Sequence, residues 1–354
     1  MRTVRVNAGS GYDVIIKSGL ALDLGSIVKS IVKSAKLAVV TDSNVAPLYL
    51  EKVLSSLKEA EVDAVSYVFS AGEENKNLST LSDILEFMAS EGLTRSDYAL
   101  ALGGGVTGDI TGFAAGCYMR GISYIQMPTT LLAAVDSSVG GKTAVDLTKG
   151  KNLAGVFLQP SAVLCDTDFL KTLSDKTFAD GAAEAIKTGI LGNEELFKSF
   201  ENNNAKKDIS GIIENCVKYK GSIVELDEKE GGPRKLLNLG HTIGHAVEAL
   251  SGYSVSHGHA VSIGMAYIAG YSYKKGICTE ECFYRIINTL KLNGLPVTTD
   301  YSSAELAGSI TSDKKRNGDK ITLILPKSIG ECQMQSVDIN EMEHIIELGR
   351  EAVL

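Results

Sequence analysis

The chain has 354 residues, of which 44% are hydrophobic, and this length exceeds the needs of one ordinary core, so two domains are expected. The formal net charge of -8 leaves no excess of Lys and Arg to neutralise phosphates over a broad surface, which argues against nucleic acid and anionic membrane as partners. A chain this acidic must concentrate positive charge locally if its substrate is an anion.

The six cysteines form neither a dense framework nor a C-x-x-C pair, so small buried thiols in a reducing compartment are expected. The N-terminal segment alternates like a pair of strands and lacks the uninterrupted apolar region of a signal peptide. No later run approaches the ~18 uncharged apolar residues of a membrane span. We therefore expect a cytoplasmic protein.

The first half of the chain alternates short β-branched runs with helical patterns, which predicts crossover units and an α/β domain with a mostly parallel, Rossmann-like sheet. The expected strands are 37–41, 66–69, 98–102, 124–127 and 162–164. From about residue 174 the spacing of apolar residues becomes helical, with segments at 179–200, 208–230, 239–251, 257–275 and 279–293. One late strand (321–326) and a final helix (339–352) follow. The predicted domains are 1–172 and a mainly α-helical 173–354.

A glycine-rich turn follows the strand at 98–102. Residues 103–108 satisfy G-x-G-x-x-G, and backbone N–H groups at such a strand-to-helix turn can approach a pyrophosphate. The acidic residue expected about 20 positions later is missing, but Asp42 ends an earlier strand, where a ribose-binding acid is useful. The alternative is an ordinary tight turn, with Asp42 as a helix cap.

Four of the five histidines fall between 241 and 259. Helical spacing puts His241 and His245 on one face, one turn apart, and His257 follows a turn that contains Gly and Ser. Two imidazoles, one carboxylate and an open position are the usual composition of a catalytic zinc site. The alternative is a set of hydrogen-bonded core or surface histidines.

A carboxylate for such a site is available upstream. Glu184 stands in a small, apolar helical segment, where a charge is costly unless a cation meets it. Lys187 is three residues later on nearly the same face, so it is either the partner of Glu184 or a second active-site group.

Two series of polar residues are candidates for binding phosphate and carboxylate groups, since lysines that follow glycines on turns suit such anions. The first series comprises Arg120, Thr129, Thr130, Asp136, Lys142, Lys151 and Asn152. Residues 141–143 resemble the end of a Walker A loop, but Asp136 occupies the position of its first glycine, so that interpretation fails. A second series precedes the histidines and comprises Lys220, Glu230, Arg234 and Asn238. As solvated surface charges these residues would be ordinary.

Over essentially its full length the chain resembles the 3-dehydroquinate synthase family. The motifs that carry the resemblance are the segments 103–109, 118–120, 128–130, 136–146, 150–152, 183–187, 237–245 and 257–258. The resemblance implies conversion of 3-deoxy-D-arabino-heptulosonate 7-phosphate to 3-dehydroquinate and phosphate, the second step of the shikimate pathway. The implied steps are transient oxidation by NAD, β-elimination of phosphate, re-reduction, ring opening and aldol closure. A homodimer is also implied.

The resemblance also implies the binding residues. For one zinc or cobalt ion they are Glu184, His241 and His257. For NAD they are Asp42, Asn44, Gly72, Glu73, Lys76, Gly105, Val106, Thr107, Gly108, Asp109, Thr129, Thr130, Lys142, Lys151, Phe169, Leu170, Lys171 and Thr172. For the substrate they are Arg120, Asp136, Lys142, Lys151, Asn152, Lys187, Lys220, Arg234, Asn238, His245 and a late lysine, Lys314. We assign catalytic roles to Arg120, Lys142, Asn152, Lys187, Glu230 and His245.

The chain departs from the family pattern at three positions. The family usually has His-Gly-Glu-Ala-Val where this chain has His257-Gly-His-Ala-Val, which predicts an additional imidazole, His259, near the metal. Ala71 replaces a common aspartate and Pro233 a frequent leucine. The alternatives are another sugar-phosphate cyclase such as 2-deoxy-scyllo-inosose synthase, a metal-dependent polyol dehydrogenase, and a non-catalytic homologue that binds NAD only.

Overall fold

The computed structural model describes residues 1–314 and 319–354, and it describes the side chains of all of these except 312–314. The chain divides into two compact units, Met1–Leu173 and Ser174–Leu354. The domain boundary expected from the sequence, between residues 172 and 173, lies one residue before the observed division. In the described part of the chain no helix is long and apolar enough to cross a membrane, and all six cysteines are free thiols.

The first unit is an α/β structure. Its strands are β1 (Arg2–Val6), β2 (Tyr12–Lys17), β3 (Leu37–Asp42), β4 (Ala64–Phe69), β5 (Tyr98–Gly103), β6 (Ser123–Pro128), β7 (Lys142–Leu147), β8 (Gly150–Phe157) and β9 (Ala162–Asp166). Its helices are α1 (Leu20–Val32), α2 (Glu51–Glu59), α3 (Leu78–Ser90) and α4 (Gly105–Cys117).

Seven of the strands in the fully described range 1–173 form one sheet in the order β1-β2-β9-β6-β5-β3-β4. Only β1 and β2 pair antiparallel in this sheet, and the remaining neighbours are parallel. Every residue of β3 is buried, as expected for a parallel strand covered on both faces. The predicted mostly parallel sheet is therefore confirmed.

Two hydrophobic cores lie on opposite faces of this sheet. Side chains alternate along β3, so Val39 faces the core that contains Leu24 of α1, while Val40 faces the core that contains Ile84 of α3. Because helices cover both faces, the polar ends of the strands are the part of the sheet left for ligands.

The second unit is mainly helical. Its helices are α5 (Asp175–Gly192), α6 (Glu194–Glu201), α7 (Ile209–Leu226), α8 (His241–Leu250), α9 (His257–Lys274), α10 (Glu280–Leu292), α11 (Ser303–Lys314) and α12 (Met342–Val353). The hairpin β10 (Lys320–Ser328) and β11 (Glu331–Asp338) completes it. Helix α9 is central and packs against α5, α8, α10 and α12.

Several predicted elements need correction. The helix expected over 179–200 is two helices, because Asn193 leaves the helical conformation and its side chain accepts a hydrogen bond from Leu196 N at 3.0 Å, which caps α6. The antiparallel hairpin β7–β8 was not predicted, and neither were β11 and α11. The hairpin carries Lys142, Lys151 and Asn152, which the sequence suggested only as loop residues.

Candidate active site and metal centre

Three predicted metal ligands of the second unit converge in the structure. Glu184 projects from the middle of α5, whereas His241 and His257 are the first residues of α8 and α9. Glu184 Oε1 lies 3.7 Å from His241 Nε2 and 3.6 Å from His257 Nε2. Tetrahedral zinc with bonds of about 2.0–2.2 Å separates its ligand atoms by roughly 3.3–3.6 Å, so the observed spacing fits one zinc-sized cation.

Close packing of α8 against α9 brings the two histidines together. Gly240 precedes α8 with φ of +78°, a left-handed conformation that favours glycine. A Cβ atom on Gly264 of α9 would lie 1.9 Å from the carbonyl oxygen of Gly240. Larger residues at either position would therefore separate the helices and move His241 away from His257.

Hydrogen bonds orient both imidazoles toward the same point. His241 Nδ1 lies 3.2 Å from the carbonyl oxygen of Leu239, which can only accept, so Nδ1 carries the proton and Nε2 the lone pair. His257 Nδ1 lies 3.3 Å from Glu248 Oε2. A carboxylate behind a ligating histidine is common in metal sites, where it fixes the ring and raises its basicity.

The protonation states follow from burial and from the neighbouring charges. Burial raises the pKa of Glu184, but the charge of Lys187 and the two imidazoles outweigh burial and hold this pKa well below its usual value. Burial and then Lys187 lower the pKa of His241 well below its usual value. Burial also lowers the pKa of His257, but the neighbouring carboxylates of Glu184 and Glu248 prevail and raise it to about 10. The carboxylate is thus ionised and ready for a cation.

Only one oxygen of the buried Glu184 carboxylate has a close cationic partner. The side chain is 1% exposed and the Lys187 ammonium contacts Oε2, whereas Oε1 makes no hydrogen bond to a described residue and faces the two imidazoles. A buried carboxylate in this state is costly, and a divalent cation coordinated by Oε1 would offset the cost. The donor set and the unpartnered Oε1 therefore fit a metal.

His245 lies beside this cluster, one turn after His241. Its ring centroid is 5.4 Å from that of His241 and 6.1 Å from that of His257, and the residue is exposed. A solvent-facing imidazole at this position is suited to passing protons between bulk water and the cluster.

Sequence reasoning missed Glu248, which is 3% exposed and holds His257. The sequence could have indicated Glu248, because a glutamate in the apolar helical segment after His245 is as costly to bury as Glu184. His259, in contrast, is not part of the cluster of three ligands, because its Nδ1 lies 2.8 Å from Asp180 Oδ1. The additional imidazole expected near the metal lies in the first turn of α9, two residues after His257, and binds a carboxylate.

The remaining cations predicted in the second unit are strongly buried. Lys187, Lys220 and Arg234 are 2%, 9% and 2% exposed. Arg234 lies in the short helical turn Pro233–Asn238, which packs against α5 and α7, and its guanidinium donates to the carbonyl of Glu228. In the same turn Asn238 Nδ2 donates to Glu230 Oε1 at 2.8 Å. The side chain of Lys314 is outside the described residues.

In the first unit the predicted NAD residues lie where parallel strands end. Asp42 ends β3, the glycine turn follows β5, Thr129 and Thr130 follow β6, and the turn Thr167–Thr172 follows β9. This turn contains Phe169, Leu170, Lys171 and Thr172, and Phe169 stacks on Tyr49. Because these strands are neighbours and parallel, their carboxyl ends share one edge of the sheet, the usual location of nucleotide sites.

The glycine turn leaves backbone groups available at this edge. Gly104 precedes α4 and has no side chain that could cap the helix. The backbone N–H groups of Gly105, Val106 and Thr107 therefore point out of the helix without a side-chain cap. A Cβ on Gly104 would lie 3.2 Å from Thr130 Cγ2, so any side chain would crowd the turn. Asp42 accepts hydrogen bonds from Asn44 N at 2.9 Å and Thr107 Oγ1 at 3.0 Å. The contact with Asn44 N closes the turn after β3, and the helical segment Ala46–Leu50 that follows has no side-chain cap, so Asp42 does not cap it and ribose binding stays a prediction.

A polar cluster joins other predicted residues of this unit. Lys76, 4% exposed, donates to Asp109 Oδ2 at 2.6 Å and to Asn152 Oδ1 at 2.5 Å. Lys151 Nζ lies 3.2 Å from Glu73 Oε1, next to Gly72. The structure therefore links the segment at 72–76 to Asp109 after the glycine turn and to the β7–β8 hairpin.

Other predicted residues of this unit lie on turns and strand ends. Arg120 is exposed after α4 with φ of +69°, Asp136 is part of the turn Ala133–Ser137, and Lys142 begins β7 with an exposed side chain. Gly108 lies in the first turns of α4 against Gln126.

Comparisons with known proteins give one consistent result. The family model for the 3-dehydroquinate synthase N-terminal region matches residues 66–180, and the model for the C-terminal region matches 181–316. The chain is 43% identical to the 3-dehydroquinate synthase of Clostridium acetobutylicum over 96% of this chain and 98% of that protein. It is 45% identical to the enzyme of that name from Caldanaerobacter subterraneus, over 89% and 90%.

One similar solved structure is that of 2-epi-5-epi-valiolone synthase from Streptomyces hygroscopicus with NAD+ and Zn2+ bound. The two chains are 27% identical in sequence, the TM-score is 0.89, and the match covers 99% of each chain. The fold class predicted from the sequence agrees with this likeness. The matches in sequence extend over nearly the whole chain at 40% identity or more, which is far above what a shared fold alone produces. The chain therefore belongs to the 3-dehydroquinate synthase family.

Proposed function

We propose that the chain is a 3-dehydroquinate synthase, a carbon–oxygen lyase that converts 3-deoxy-D-arabino-heptulosonate 7-phosphate to 3-dehydroquinate and phosphate. The observation that carries the proposal is the convergence of Glu184, His241 and His257 in a chain that matches relatives of this name over nearly their whole length. A non-catalytic homologue would not need an ionised, buried carboxylate facing two imidazoles.

The proposed cofactors are NAD and one divalent metal, zinc or cobalt, as in the neighbour that binds NAD+ and Zn2+. Glu184, His241 and His257 would hold the metal, and the turn at 103–109 with the polar ends of β3, β6 and β9 would hold NAD. When bound, the metal lowers the pKa of a substrate hydroxyl and NAD accepts and later returns a hydride.

The residues of the chain then bind, orient and move protons. Lys187, buried against Glu184, would hold the substrate oxygen that changes between hydroxyl and ketone. Buried Lys220 and Arg234, with Asn238 and Glu230, would bind the anionic and hydroxyl groups of the substrate. His245 would relay protons to water. Arg120, Asp136, Lys142, Lys151 and Asn152 are assigned to phosphate and carboxylate binding by their family positions.

Elimination needs a base for the proton next to the new ketone. The departing phosphate is already positioned there, so it can take this proton without another protein group. Ring opening and aldol closure then need little beyond fixed charges and exclusion of water.

The test is to incubate the purified protein with 3-deoxy-D-arabino-heptulosonate 7-phosphate, NAD and zinc, and to follow phosphate release and the formation of 3-dehydroquinate. Parallel reactions with glucose 6-phosphate and sedoheptulose 7-phosphate test the sister cyclase activities. Activity on either of these and none on the seven-carbon sugar acid would refute the proposal, as would no reaction at all.

We also propose a cytoplasmic homodimer. Free thiols at all six cysteines fit a reducing compartment, and the dimer is proposed from the family resemblance. Sedimentation equilibrium is expected to give twice the mass of the chain, and a monomer at micromolar concentration would contradict the dimer.

A further inference from the structure

The carboxylate of Asp180, on α5, lies against the first turn of α9. Its Oδ1 accepts hydrogen bonds from Ser256 Oγ at 2.7 Å, from the backbone N–H of His259 at 3.1 Å and from His259 Nδ1 at 2.8 Å. Ser256 is the residue before α9, where a serine usually caps its own helix, but it makes no such bond here. Asp180 therefore caps α9 from a different helix.

This cap joins α5 and α9, two of the three helices that supply the proposed metal ligands. Asp180 precedes Glu184 by one helical turn on α5, and the capped turn of α9 begins with His257. A Cβ on Gly258 would lie 2.2 Å from the carbonyl oxygen of Asp180, so the turn rests directly on the α5 backbone. The contact thus lies one turn from Glu184 on one side and next to His257 on the other.

The charge of Asp180 suits this location. A carboxylate at a helix N-terminus interacts favourably with the unpaired N–H groups and the helix dipole. Burial raises the pKa of Asp180, but its hydrogen bonds with His259 and Ser256 outweigh burial and lower it, so the group is ionised at neutral pH.

We propose that Asp180 is a positioning residue for the metal centre: by capping α9 from α5 it sets the distance between Glu184 and His257. His259 holds the carboxylate in this orientation. The inference rests on the proposed metal site, and it assigns a role to two residues that touch neither metal nor substrate.

The proposal also accounts for His259, the position at which the chain departs from His-Gly-Glu-Ala-Val. A glutamate there would place a second negative charge beside Asp180, and like charges in a partly buried contact repel each other. An imidazole instead donates from Nδ1 to the Asp180 carboxylate.

The test measures the zinc dissociation constant by competition with a chromophoric chelator, and in parallel the unfolding midpoint of the metal-free protein. Asp180→Ala is expected to weaken zinc binding about tenfold to a hundredfold, the usual effect of removing a group that orients a ligand. Asp180→Asn should weaken it less, since the amide oxygen still accepts from His259 N–H. Asp175→Ala, which removes an exposed α5 carboxylate paired with Lys206, is the matched control and should leave zinc affinity unchanged.

A charge exchange tests the role of His259. His259→Glu should weaken zinc binding about tenfold by repulsion, and adding Asp180→Asn in that background should restore most of the loss. No recovery in the double variant would overturn the role of His259.

Wild-type zinc affinity in Asp180→Ala, whether or not the unfolding midpoint falls, would overturn the positioning role. If Asp180→Ala does not fold, Asp180→Asn decides the question, and unchanged zinc affinity in that variant overturns the proposal. Failure of the wild-type protein to bind zinc would instead refute the metal centre itself.

Discussion

Replacing Glu184 by glutamine separates its role as a metal ligand from its role in an ion pair. The change keeps the shape of the side chain and removes its charge. In the structure Glu184 and Lys187 are 1% and 2% exposed and in contact, so the variant leaves a buried ammonium without its counter-ion. Removing one partner of such a pair costs roughly 3–5 kcal/mol of folding free energy.

The second effect is the loss of zinc-dependent stabilisation. A ligand at 100 times its dissociation constant stabilises the folded state by about 2.7 kcal/mol. The wild-type protein should gain about this amount, and Glu184→Gln should gain almost nothing because one of three ligands is gone. Urea unfolding with and without zinc measures both quantities, and phosphate release should be abolished in the variant.

The double variant Glu184→Gln/Lys187→Met is the control for the ion pair. It removes both buried charges, so it should recover much of the lost stability while remaining insensitive to zinc. A full zinc-dependent gain in Glu184→Gln, together with normal metal content, would remove Glu184 from the metal site and refute the reasoning.

Three further predictions concern the metal centre and the polar cluster around Lys76. Apparent zinc affinity should rise about tenfold per pH unit between roughly pH 6.5 and 8.5. The reason is that His257, whose pKa is raised to about 10, must lose a proton before it can coordinate zinc. A zinc affinity that does not change with pH in chelator competition would contradict this prediction. Lys187→Ala should lower kcat far more than it weakens NAD binding measured by fluorescence titration, and an unchanged kcat would return Lys187 to the role of an ion-pair partner. Lys76→Met should lower the free energy of unfolding by about 1–3 kcal/mol, because Asp109 and Asn152 lose a charged hydrogen-bond donor. Lys171→Met, which removes an exposed lysine, is the control and should change the free energy of unfolding little.

Strands and helices that have a clear local pattern of apolar residues could be predicted from the sequence. β3 and β5 were expected because their runs are continuously apolar, and α9 because its helical spacing persists to Lys274. The hairpin β7–β8 was missed for a physical reason: much of β8 is exposed, so it lacks the apolar alternation of a strand that faces a core. Its glycines and lysines suggested a loop instead.

The metal ligands were predictable from the cost of burying charge and from four clustered histidines, but their supporting residues were not. Glu248 reaches His257 only because α8 and α9 pack at the close approach of Gly240 and Gly264. Asp180 reaches α9 across 76 residues of sequence, a contact that no local pattern indicates. Residues that orient a ligand depend on tertiary geometry, whereas the ligands themselves are recognisable by residue type.

The distribution of charge in the second unit argues for an anionic ligand independently of the family. In a chain with a net charge of -8, Lys187, Lys220 and Arg234 are each at least nine-tenths buried. Burying a cation costs more free energy than an ion pair usually returns, and apolar residues of similar volume would stabilise the fold as well or better. Lys187 contacts Glu184 and Arg234 donates to the carbonyl of Glu228, yet three buried cations in one unit still cost the fold more than apolar residues would. Phosphate and carboxylate groups are the ligands that such desolvated donors hold most strongly, and the proposed substrate carries both.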